Sequence, residues 1–195
     1  MLKKIADIFI AQKRKRDIAK TKSLVDSRIR QVDYGVLGRS LSCNPLMPRI
    51  FQNAKLANAK YIRNLHSLNN ASKADSSKDS KQIAIIDTTL QKDISLVADA
   101  RHYSPFLLIH KDIFISQYQV LESLVFGADC VALSPEILPM ESLDFLQNYA
   151  YHLGLEVAIL ASKISHFENK ANIFIVSKNL ADSSQIPQNR LIITA

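Results

Sequence analysis

Histidine, cysteine and glycine are the residues from which this chain could build metal, thiol or phosphate-binding chemistry, and their spacing supports none of the three. The five histidines, His66, His102, His110, His152 and His166, form no HExxH or other ligand pattern, so no metal site is expected. Cys43 and Cys130 lie far apart with no CxxC, and Cys130 sits in an apolar run. They read as reduced thiols, with Cys130 buried. Only 4 glycines are present, with neither GxGxxG nor GxxxxGK[ST]. A backbone cradle for nucleotide phosphates needs glycine at the points of close approach, so nucleotide binding through either motif is not expected.

Charge offers a second route to function. The 25 Lys and Arg against 18 Asp and Glu leave a formal charge of +7. Much of the excess falls early, at Lys3, Lys4, Lys13, Arg14, Lys15, Arg16, Lys20 and Lys22. One reading is a patch for a polyanion. The plainer one is the solvated face of an amphipathic helix. No aromatic residues interleave with these charges to stack bases, which argues against nucleic acid as a partner.

The elements that must position any site follow from the apolar pattern. Residues 2–24 predict a helix with Leu2, Ile5, Ile8 and Phe9 on one face. Residues 33–53, with Gly35, Gly38, Pro45 and Pro48, read as a connector. Ala57 to Leu68 is of undetermined type, and Asn69 to Ser80 reads as a flexible polar loop. There is no cleavable signal pattern and no run of about 18 apolar residues, so a cytoplasmic protein without a membrane span is expected.

From Lys81 onward the pattern is regular. Short apolar runs at 83–86, 106–109, 130–133, 155–160, 173–176 and 191–193 predict strands. Helical stretches follow the first three of them, through 94–100, over 116–126 and over 140–153. Uninterrupted apolar strands alternating with amphipathic helices indicate the α/β class with a parallel sheet. A (β/α) barrel and an open doubly wound sheet both fit this spacing. The length is that of one domain covering 1–195.

Specific stretches resemble indole-3-glycerol-phosphate synthase. Residues 105–119, PFLLIHKDIFISQYQ, are similar to that family's third strand, in which an apolar run ends in Lys-Asp-Phe and leads to Tyr-Gln. Gly127-Ala128-Asp129, followed by Val131, Leu133 and Leu138, resembles its fourth strand, and Leu153 to Val157 the entry to its fifth. The N-terminal helix, Leu37 to Leu41, Asn44-Pro45 and Pro48-Arg49 resemble the leader of some bacterial members. The resemblance implies a (β/α)8 TIM barrel with an extra N-terminal helix and a site at the C-terminal ends of the strands. It also implies a reaction that closes an indole ring on a phosphorylated substrate with loss of carbon dioxide and water, without a cofactor. Such chemistry needs an acid at the substrate carbonyl, a second acid–base group for dehydration and an anchor for the phosphate.

Carried over residue by residue, the resemblance makes Lys111 the candidate general acid, its pKa lowered by burial. Asp112 follows it as in the family, and Asp87 ends the second strand, where a helix-capping role serves equally well. The first-strand Glu-x-Lys is placed loosely on Asn64-Leu65-His66, which makes His66 a candidate substrate contact. The sixth-strand Asn-Asn-Arg falls on Val176-Ser177-Lys178, so Lys178 keeps a charge without the planar fork of arginine. The fifth-strand glutamate falls on Leu160, which cannot move a proton.

The expected fold is therefore an incomplete barrel lacking the eighth strand. Between the first and second strands there is room on this placement for a loop but not a crossover helix. Seven strands would leave open edges, which a homo-oligomer could cover. Three functions are compatible with these residues. The first is a synthase-like pseudoenzyme with little or no activity. The second is an active lyase of tryptophan biosynthesis with a reduced site. The third is a basic accessory module that binds an anionic partner.

Overall fold

The computed structural model describes residue 23 and residues 56–73, 82–91, 94–104, 106–183, 185–187 and 189–194. The expected N-terminal helix, the connector with Cys43, the basic cluster and most of the polar loop lie outside the described residues.

Seven strands alternate with helical segments. They are β1 (Leu56–Ile62), β2 (Ile83–Asp87), β3 (Leu107–Lys111), β4 (Cys130–Leu133), β5 (Glu156–Ala161), β6 (Ile173–Val176) and β7 (Leu191–Thr194). The helices are α1 (Leu65–Lys73), α2 (Ser95–Tyr103), α3 (Gln117–Val125), α4 (Met140–His152) and α5 (Lys178–Ala181), with a 3-10 turn at Ile164–Glu168 after β5. All pairings are parallel and run in chain order.

The expectation of open edges is overturned, because β7 pairs with β1 and closes the ring. The register is Leu56↔Ile192, Ala57↔Ile193 and Asn58↔Thr194. A barrel's diameter grows with its strand number, so a seven-membered ring is narrow and must have small side chains inside. The inner cluster supplies them, with Ala59, Cys130, Ala132 and Ala158 set among Ile85, Ile109, Ile175 and Ile193. Closure also removes the exposed edges that were the reason for expecting an oligomer.

Alternate strand residues face the other way and build the outer layer. Ala84, Ile86 and Leu108 pack on Leu96, Val97 and Ala100 of α2. Val131, Val157 and Phe174 pack with Val120 of α3 and Leu143, Leu146 and Ala150 of α4. This two-sided burial is why strands 2 to 7 are continuous apolar runs.

The first crossover also departs from expectation. β1 ends at Ile62, before the stretch that the family motif suggested, and α1 occupies Leu65–Lys73. A crossover helix is present, and Asn69–Lys73 belong to it rather than to a loop. Ser67 starts the helix by accepting from Arg63 N and Asn64 N at 3.1 Å, while Asn64 Oδ1 accepts from Ser67 N at 2.8 Å. These reciprocal bonds satisfy amides that the first helical turn would leave without partners. The later crossovers are short, a 3-10 turn and the four-residue α5.

Candidate functional site

Parallel pairing fixes what meets at the C-terminal mouth. The β2–β3 register sets Asp87 directly beside Lys111, each the last residue of its strand. Lys111 Nζ donates to Asp87 Oδ2 at 2.9 Å and also to the Tyr61 hydroxyl. Tyr61 in turn donates to Asp87 Oδ2 at 3.1 Å. Arg63 Nε stands 3.7 Å from the same oxygen, and Thr89 N donates to Asp87 Oδ1 at 3.1 Å. A cavity of ≈ 520 Å³ opens here, lined by Tyr61, Arg63, Asn64 and Ser67.

The electrostatics of the cluster favour an ionised Asp87–Lys111 pair beside a neutral phenol. Burial alone would lower the pKa of Lys111, but its bonds to Tyr61 and Asp87 and the charge of Asp87 outweigh burial and raise it. The expected lowering is therefore reversed, because the buried lysine has found a carboxylate. Burial likewise pushes the Asp87 carboxyl up, yet the bonds from Thr89 and Lys111 and the Lys111 charge bring it below the usual value. Tyr61 is pushed up, chiefly by burial, and keeps its phenolic proton. The cluster at neutral pH is an ammonium, a carboxylate and a phenol in mutual contact.

The loop after Lys111 is held from behind. Asp112 Oδ1 accepts from Ile113 N at 2.7 Å. The Gln119 amide accepts from Ile115 N at 2.8 Å and Ser116 N at 3.2 Å and donates to Ile113 O at 2.8 Å. The sequence block Lys-Asp-Ile-Phe-Ile-Ser-Gln-Tyr-Gln thus has a local mechanical reason. Its lysine faces the site, and its aspartate and last glutamine satisfy the amides of the turn.

Of the residues singled out from sequence, Lys111 is in the site with Asp87. His66 is not part of this cluster; it is exposed on α1, with its Nε2 3.1 Å from the Asn70 amide. Lys178 is exposed at the start of α5, after β6, and is not among the hydrogen-bond or ion-pair partners of the Lys111 cluster. Leu160 packs on the inner cluster near the end of β5. Two residues were missed. Tyr61 and Arg63 flank the end of β1 and take the places near Lys111 that the loose motif placement gave to Asn64 and His66. The signal that could have found them is register, since Tyr61 pairs with Ile85 and so shares the inward parity of Asp87 and Lys111.

Residues 87–174 match the family model for indole-3-glycerol phosphate synthase. Similar proteins with that name include one from Campylobacter curvus, 34% identical over 157 residues that cover 69% of this chain and 59% of the relative. Another from Campylobacter hominis is 28% identical over 163 residues, covering 73% and 62%. A third from Campylobacter concisus is 31% identical over 162 residues, covering 73% and 61%. The chain thus spans less than two-thirds of the length of each of these relatives. Among the described residues, no helix is long and apolar enough to cross a membrane.

Proposed function

Since this chain belongs to the indole-3-glycerol phosphate synthase family, we propose that it is a synthase-like protein of tryptophan biosynthesis whose ring-closing decarboxylase activity is impaired or lost. The substrate class is 1-(2-carboxyphenylamino)-1-deoxyribulose 5-phosphate. In that reaction an aryl carbon attacks the ketone carbon while an acid supports the carbonyl oxygen. Carbon dioxide leaves, and water is then expelled with help from a second proton-transfer group.

The observation that carries the reading is the setting of Lys111. Two of its three ammonium protons are committed to Asp87 and Tyr61, which leaves one for a substrate oxygen. Its raised pKa keeps it charged, so it can polarise a carbonyl, but it also makes full transfer of the proton less favourable. The second acid–base group has no counterpart at Leu160, an aliphatic side chain in the inner cluster. Losing one preorganised polar group in such a site typically costs about 10²–10³ in rate. Arg63, at the edge of the cavity, is the group best placed to meet an anionic part of the substrate.

An active lyase with a reduced site is the second reading, favoured by the Tyr61–Asp87–Lys111 cluster standing beside an open cavity. One assay separates the two. Product formation by the folded chain is compared with Lys111→Ala. Turnover above that control, at a rate ordinary for an enzyme, would overturn the proposal of impairment and support the second reading. Turnover absent from both supports the first.

A further inference from the structure

Behind the Asp87–Lys111 pair, on the outer side of β2 and β3, lies a buried polar chain that the chemistry above does not use. Thr88 Oγ1 is 2.7 Å from His110 Nε2, and it donates to Asp112 Oδ2 at 2.9 Å. His110 Nδ1 is 2.7 Å from Ser123 Oγ, which donates to the Gln119 carbonyl at 2.7 Å. All five residues are buried, and His110 is 2% exposed.

Each hydroxyl has one proton to give, and that count decides the charge. The Ser123 proton goes to a carbonyl, which has none to offer. His110 Nδ1 must therefore donate to Ser123. The Thr88 proton can serve Asp112 or His110 but not both. If it serves Asp112, His110 Nε2 must carry a proton and donate to Thr88. If it serves His110, Asp112 must carry one instead. In either arrangement the chain holds one proton more than a neutral imidazole beside a carboxylate. Asp112 also accepts the Ile113 amide at 2.7 Å, a contact that suits the ionised form.

We infer that His110 is an imidazolium linked to Asp112 through Thr88, and that this chain is a positioning device for Lys111. Thr88 and Asp112 are the immediate neighbours of Asp87 and Lys111, and Thr88 N donates to Lys111 O at 3.0 Å. The chain therefore ties the two strand ends that carry the site pair. Withdrawing the extra proton would set two lone pairs against each other across a contact of 2.7 or 2.9 Å. The charged groups on the surrounding elements are few. α3 carries Glu122, which is buried and has a partner. α2 carries Asp99, Arg101 and His102, of which Arg101 is paired with Asp129. The inner face of the barrel carries Asp87 and Lys111, paired with each other. The value of placing Lys111 for catalysis rests on the proposed function, whereas the protonation of His110 does not.

The test is a pH titration of the histidine ring nitrogens by NMR in the full chain. His110 should remain doubly protonated above the pH at which an ordinary imidazole loses its second proton, with a proton affinity at least about tenfold above the usual value near pH 6.5. Thr88→Val should return His110 to single protonation at neutral pH, and Thr88→Ser should keep the native pattern. The Lys111 ammonium signal should shift as His110 finally loses its proton, and should show no such step in His110→Gln. A His110 that titrates near pH 6.5, as an ordinary imidazole does, overturns the inference. A Lys111 signal indifferent to His110 overturns the positioning role. If Thr88→Val does not fold, the native titration and Thr88→Ser still decide. No step requires turnover, so failure of the lyase reading would be seen separately.

Discussion

Replacing Asp87 by asparagine tests whether the mouth of the barrel is held by charge or by shape. The side chain keeps its outline but has one acceptor oxygen in place of two. If that oxygen stays with Lys111 and Tyr61, the amide NH2 faces Thr89 N, so the negative charge and one weaker hydrogen bond are withdrawn together. Lys111 and Asp87 have side chains 25% and 10% exposed, and their ion pair spans 2.9 Å. Removing one partner of a fully buried pair costs about 3–5 kcal/mol. Here Lys111 keeps some contact with water and its bond to Tyr61, so the expected loss is about 1–3 kcal/mol.

The pH dependence fixes the cause. The Asp87 carboxyl is held below its usual value. Its contribution is therefore fully present above the unfolded value of about pH 4 and is lost as pH falls through the lower folded value. Lys111, whose pKa is raised, contributes below about pH 10.4 and loses that contribution as pH rises through its higher folded value. Urea unfolding of native chain and Asp87→Asn should show the full gap near neutrality and a shrinking gap as pH is lowered from about 5 towards 2. A gap that stays constant over that range would refute the electrostatic account and point to packing.

Three further outcomes are expected. Gly127 has φ +96°, and an added Cβ would stand 2.8 Å from Arg101 Cγ, with Arg101 anchored to Gly127 O and Asp129. Gly127→Ala should therefore lower stability by about 1–3 kcal/mol, measurable by chemical denaturation. Phe174 is fully buried and meets the Phe167 ring edge-on at 5.0 Å, so Phe174→Ala should cost about 3–5 kcal/mol in the same experiment. Leu160→Glu should raise the rate of product formation by about 10–10²-fold over the native chain, provided that the missing proton-transfer group limits turnover. No gain in a folded variant would locate the deficit elsewhere.

The strands from β2 onward were legible because both their faces are buried, which turns them into unbroken apolar runs such as Ile83-Ala84-Ile85-Ile86. β1 was not legible, since Leu56–Ile62 mixes Asn58 and Lys60 with apolar residues. Lys60 stays in the strand by laying its ammonium 5.1 Å from the centre of the Phe106 ring, a tertiary contact that leaves no periodic trace. The helical state of Asn69–Lys73 was hidden for a similar reason. α1 has little apolar stripe beyond Leu65 and Leu68, and its start depends on the Asn64–Ser67 bonds. In the site, the strand-end lysine was visible as a motif. Its reversed pKa was not, because that depends on Asp87 and Tyr61 arriving from two other strands. Closure by β7 was likewise invisible, since it depends on small inner residues taken together rather than on any one segment.

A closed ring has a consequence for what fills it. Register carries the inward parity unbroken across the wall: Ala59 pairs with Ile83, Ile83 with Leu107, Ile109 with Cys130, Ala132 with Ala158, Ala158 with Ile173 and Ile173 with Leu191. The β7–β1 pairing keeps it, since Ile193 stands beside Ala57, two residues before the inward Ala59. Every strand therefore feeds the same narrow interior, and a larger side chain placed there from one strand presses on those arriving from the far side of the ring.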